Sequence, residues 1–157
     1  MSDHAHDHFG LIREIFRSAW AIAPSDFSGM GLVLYRGRHT LPHLSLRNSE
    51  PAILEHAVGP KHVAHVLSEL ASTNSPWHDG FHFIDEDEGR LTHVAQFISP
   101  PIPTQVALIS SEGGARHMSA ALASLLCGIS MVGVMTSRGE ISVYVSGERV
   151  LHEGIGL

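Results

Sequence analysis

Two short segments hold the residue types and spacing that can do chemistry. The first is Ser75-Pro76-Trp77-His78-Asp79-Gly80-Phe81, which places a carboxylate and a glycine where a loop enters an apolar run. Asp79 can hold a metal ion or a hydroxyl group, and Gly80 lets a ligand approach the backbone closely. Taken alone, Asp-Gly before a strand is more often a plain turn. The second segment is Gly113-Gly114-Ala115-Arg116-His117, a glycine-rich loop that opens a helix. Free N–H groups and the positive helix end favour an anion there, with Arg116 and His117 adding charge-assisted donors. A glycine-flanked helix start with an exposed arginine explains this segment about equally well.

The elements that must position these residues can be read from periodicity. Phe9, Ile12, Phe16 and Trp20, with Leu11, Ile15 and Ala19 beside them, predict a helix over 9–22 that Pro24 ends. Residues 31–36 read as a buried strand and 36–48 as an irregular polar connection. Ser49-Glu50-Pro51 reads as a helix start, and Val63, Val66, Leu67 and Leu70 mark a second helix over 60–71. Strands follow at 81–84 and 91–97 around the acidic turn Asp85-Glu86-Asp87-Glu88-Gly89, a solvated hairpin tip rather than a cation site. Pro100, Pro101 and Pro103 make a loop that no central ladder accepts. A helix over 118–126 and strands over 130–136 and 140–145, turned at Ser137-Arg138-Gly139, complete the pattern. Mixed strands and helices without repeat or linker predict one α/β domain over 9–157, a mixed central sheet flanked by helices. Residues 1–8 are a histidine-rich tail. Their alternating histidines can chelate metal, but a frayed terminus is the better reading.

Composition excludes several classes. The chain has 157 residues, 43% hydrophobic and 17% charged, as expected of one globular domain. Its net charge of −6 lacks the basic excess of a nucleic-acid groove, so no nucleic-acid partner is expected. Cys127 is the only cysteine and reads as a small buried hydrophobe in a reducing cytoplasm. No positive region precedes an apolar run at the N-terminus, so no secretory signal is expected. Residues 118–135 carry no charge, yet Gly128 splits them into a helix half and a strand half, and no membrane span is expected. The thirteen histidines read as scattered surface residues, since no zinc ligand set forms in the sequence.

In this order and spacing, the two segments resemble the catalytic domain of the diadenylate cyclases, a bacterial family that makes cyclic di-AMP from two ATP molecules. The family's Pro-Leu-His-Asp-Gly-Ala is matched by Pro76-Trp77-His78-Asp79-Gly80-Phe81. Its Gly-Thr-Arg-His-Arg-Ala is matched by Gly114-Ala115-Arg116-His117-Met118-Ser119. The place of its Val-Ser-Glu-Glu-Thr-Gly is held by Val134-Met135-Thr136-Ser137-Arg138-Gly139, and the resemblance spans roughly 29–150.

The resemblance implies a homodimer of two face-to-face subunits. Asp79 would sit at the ribose hydroxyl or its Mg²⁺ or Mn²⁺, as the catalytic residue if the protein is active. Gly80 would lie beside the ribose, and Arg116 and His117 at the phosphates; Phe81, which narrows the pocket or changes its stacking, and Gly114 would also belong to the nucleotide-binding residues. Thr136 and Ser137, in place of the acidic pair, would offer hydroxyls to a phosphate. Met118 removes one arginine, Ala115 removes a hydroxyl, and Met135-Thr136-Ser137 removes the carboxylates that serve a cation. These losses fall on catalytic positions, so the expectation is a nucleotide sensor for a cyclic dinucleotide or ATP-type ligand. An active diadenylate cyclase and a ligand-free dimerisation module are the alternatives.

Overall fold

A computed structural model of the chain describes residues 9–37, 41–104 and 113–155. Strand β1 (Met30–Tyr35) is apolar on both faces, with all but its last residue buried, and this makes it a central strand. It pairs in parallel with β3 (Phe81–Asp85) and antiparallel with β5 (Ile129–Met135). Outward from β3 lie β4 (Arg90–Ile98) and the short β2 (His43–Ser45). Outward from β5 lie β6 (Glu140–Val145) and β7 (Glu148–Gly154). The result is a seven-stranded mixed sheet in the order β2-β4-β3-β1-β5-β6-β7.

Helices cover both faces. Helix α1 (Gly10–Ala21) buries Ile12, Ile15, Phe16 and Ala19, the stripe that its spacing predicts. Helix α2 (Pro60–Leu70) starts with proline where the missing N–H costs nothing, and it buries Val63, Ala64, Val66, Leu67 and Leu70. These two helices close one apolar cluster with Leu32, Leu34, Met131 and Val143. Ser68, buried in α2, donates to the Ile22 carbonyl at 3.2 Å and ties the two helices together. Helix α3 (Ala115–Ala123) closes the other face. Its small residues Ala120, Ala121 and Ala123 pack onto a cluster containing Val33, Phe81, Phe83, Val132 and Tyr144.

The α/β domain with a mixed sheet is therefore the observed fold, and several local expectations change. The helix expected from Ser49 is a 3₁₀ turn, Ala52–His56, because Pro51 is extended and only one turn follows it. The stretch 36–48 contributes β2, and β7 follows the last strand read from the sequence. The third helix begins at Ala115 rather than 118, because Gly114 is extended and starts it. Cys127 is exposed, not buried: it falls in the turn after α3, where Leu126 and Ile129 turn inward instead. The histidines are not all superficial, since His82 alternates into the sheet interior and is 1% exposed. Among the described residues no helix is long and apolar enough to cross a membrane, and 118–135 is indeed helix, turn and strand. The 1–8 tail and Ser110-Ser111-Glu112 lie outside the described residues.

Candidate functional site

The loop that carries Asp79 is fastened at both ends. Asp26 receives the Ser72 hydroxyl at 2.7 Å, the Thr73 hydroxyl at 2.8 Å and the Thr73 amide at 3.1 Å. The hydrogen bonds from Ser72 and Thr73 hold the Asp26 carboxyl below its usual value. Farther along, the Trp77 indole N–H donates to the Ser49 carbonyl at 2.9 Å, and Arg47 donates to the Pro76 carbonyl. Asp79 then takes the Gly80 amide on Oδ1 at 2.8 Å. Gly80 has φ +81°, and a Cβ there would lie 2.6 Å from the Gln96 carbonyl oxygen, so only glycine fits. Phe81 lies over Gly31, whose missing Cβ leaves room for the ring.

Helix α3 brings the second segment to the same place. Its first N–H groups have no side-chain cap, and Gly114 has open space where a Cβ would be. From the first turn Arg116 reaches Asp79, Nη2 to Oδ1 at 3.5 Å, with the arginine side chain 28% exposed and the aspartate 67%. The two border a cleft of about 350 Å³, lined also by Leu46, Gly80, Phe81, Gln96, Phe97, Ile98, Ala115 and Ser119. The cleft thus joins a cationic donor, a carboxylate and an exposed aromatic ring, Phe97, which is 53% exposed.

Of the residues singled out in the sequence, Asp79, Gly80, Phe81 and Arg116 come together on this cleft. Gly114 starts the helix next to it. Ser137 is close by: its amide nitrogen and Arg116 Nη1 converge on Gly29, 3.4 and 3.1 Å from where a Cβ would stand. Thr136 caps the β5–β6 turn, its Oγ1 accepting the Arg138 and Glu140 amides at 3.3 and 3.2 Å. His117 lies against Gly113 and meets the Tyr144 hydroxyl with Nδ1 at 2.9 Å. Burial pushes the His117 imidazole below its ordinary value, with the charges of Arg149, His152 and Arg116 acting the same way and Glu140 opposing. Met118 packs against the apolar cluster under α3.

Sequence reasoning missed Leu46, Gln96, Phe97 and Ser119, and it missed His82 behind the cleft. His82 Nδ1 accepts the Ala95 amide at 3.1 Å within a bulge where Ala95 adopts φ +52°. Burial, helped by the charge of Arg116, pushes this imidazole down to about 4, so it stays neutral.

A divalent cation would find a poor donor set here. Asp79 is one carboxylate, already shared between a guanidinium and an amide. The neighbouring positions offer hydroxyls, and among the described residues no three His, Cys, Asp or Glu side chains gather as metal ligands. These residues do not fit a resident metal ion.

The sequence model of the family described as DisA bacterial checkpoint controller, nucleotide-binding, matches residues 49–149. The chain belongs to that family, and its domain is a nucleotide-binding domain of the diadenylate-cyclase type. The match includes both segments and every residue of the cleft except Leu46, while α1, β1 and β2 lie before it. No curated protein matches the chain in sequence.

Proposed function

We propose that the cleft binds a nucleotide, a cyclic dinucleotide or an ATP-type ligand, and that the domain is a sensor with little or no turnover. The observation that carries this reading is the Arg116–Asp79 pair at the cleft, beside a position where hydroxyls replace the family's carboxylates. Arg116 and the first amides of α3 would take phosphate oxygens, and Asp79 a ribose hydroxyl. Leu46, Phe81 and Phe97 offer apolar surface for a base. Phosphoryl transfer depends on positioning and charge neutralisation, and this site retains more of the first than of the second. We further propose a cytoplasmic homodimer. The exposed thiol of Cys127 suits a reducing compartment, and exposed Leu44, Phe97 and Ile102 offer apolar area to a second copy.

Calorimetric titration with cyclic di-AMP, ATP and other cyclic dinucleotides, with Mg²⁺ or Mn²⁺ present and products analysed afterwards, tests the reading. Saturable binding without product is expected, from a protein that sediments as a dimer. Cyclic di-AMP formed from ATP would instead make the domain an active cyclase. No binding at millimolar nucleotide would leave it a dimerisation module.

A further inference from the structure

We propose that His43 and His93 form a second, separate site, which takes one divalent transition-metal ion such as Zn²⁺ through their two Nε2 atoms. The two rings lie on β2 and β4, at the edge of the sheet, packed against Phe83. Their centroids are 5.1 Å apart and their planes are 70° to each other. A tetrahedral zinc at about 2.1 Å from each nitrogen holds two imidazole centroids about 5 Å apart.

The hydrogen bonds around the rings occupy both Nδ1 atoms. Gln96 donates its amide N–H to the Val94 carbonyl at 2.8 Å, so its Oε1 faces His43 Nδ1 at 2.8 Å and accepts a proton from it. The Thr92 hydroxyl lies 3.2 Å from the Phe83 carbonyl, 2.9 Å from His93 Nδ1 and 2.8 Å from the Tyr35 hydroxyl, and so engages His93 at Nδ1. With Nδ1 so engaged, Nε2 is the nitrogen that each ring has left for a metal ion. Neither Nε2 has a protein partner among the described residues. This is the arrangement in which the outer hydrogen bond orients a metal-binding histidine. Burial and the neighbouring His43 push the His93 imidazole below its ordinary value, against the opposing charge of Glu50. Water would complete the coordination.

The test uses the full chain with His4→Ala, His6→Ala and His8→Ala, which removes the competing tail. Titration with Zn²⁺, and with Co²⁺ followed by its visible absorption, should show one ion per chain and a tetrahedral-type spectrum. His43→Gln and His93→Gln should each weaken binding tenfold or more. Thr92→Val should weaken it about tenfold by releasing His93 Nδ1 and with it the orientation of the ring. In the chain with both rings intact, Zn²⁺ should shift the Nε2 resonances of His43 and His93 and of no other histidine. Unchanged affinity in the double His43/His93 variant, or Zn²⁺ shifts at other histidines only, would overturn the proposal.

Discussion

Replacing Arg116 with alanine separates a ligand-binding role from a structural one. A charge-assisted hydrogen bond to phosphate is worth about 1.5–3 kcal/mol, so nucleotide affinity should fall about 10- to 150-fold. The fold should lose much less. The Asp79 side chain is 67% exposed and the pair is 3.5 Å apart, a solvent-screened contact worth about 1 kcal/mol or less. At this chain length that is a Tm change of about 2–4 °C. Calorimetry and thermal unfolding on the same preparations read both numbers. Asp79→Asn sharpens the test, because Asp79 both neutralises Arg116 and, in the proposed site, accepts a ribose hydroxyl. Inorganic triphosphate, which has no ribose, should bind Asp79→Asn up to about fivefold more tightly, since a screened repulsion of about 1 kcal/mol is removed. ATP should bind it more weakly. Arg116→Ala binding ATP within twofold of the parent protein would refute the assignment, as would ATP and triphosphate responding to Asp79→Asn in the same direction.

Three further outcomes are expected. Because the folded His82 titrates near 4 and an unfolded histidine near 6.5, the unfolded chain binds the extra proton between these values. Stability should be full above pH 6.5 and fall by about 3 kcal/mol toward pH 4, and His82→Gln should flatten this slope in urea titrations at stepped pH. Gly31→Ala sets a methyl 2.5 Å from the Phe81 ring and should cost about 1–3 kcal/mol by denaturant unfolding, with much of the loss relieved in the Gly31→Ala/Phe81→Leu double variant. Ser137→Glu restores a carboxylate near Arg116, and it should make ATP binding depend on Mg²⁺, as a titration with and without the ion would reveal.

The parts of this fold legible in the sequence were those whose signal is local. The stripe of Ile12, Ile15, Phe16 and Ala19 stands at helical spacing, and 31–35 is apolar throughout, so both declared themselves. Strand β7 did not. As an edge strand it alternates half-buried and exposed residues, including Arg149, His152 and Glu153, and its place is fixed by partners far along the chain. Among these are Arg13 and Arg17, which reach Glu153 at 3.0 and 3.2 Å. Strand β2 is three residues long and polar or exposed, and pairing with β4 defines it. The cleft divides in the same way. Asp79 and Arg116 were visible because short motifs carry them, whereas Leu46, Gln96 and Phe97 enter through the β2–β4 register, which no local pattern encodes.

The family's missing ligands also need a structural account, because each replacement has acquired a place in the fold. Met118, where the family carries an arginine, packs into the cluster beneath α3. The Thr136 hydroxyl, where the family carries a carboxylate, caps the turn that joins β5 to β6. Restoring charge at 118 would take a methionine out of apolar contact, and restoring it at 136 would remove a cap that holds two amides. Ser137 differs, being exposed and engaged in the site only through its backbone nitrogen. A carboxylate can therefore return at 137 with little cost to the fold, while the positions on either side of the cleft resist it. That asymmetry is why the Ser137 substitution, rather than a full reversion to the family pattern, is the informative way to ask what a carboxylate alone adds to this site.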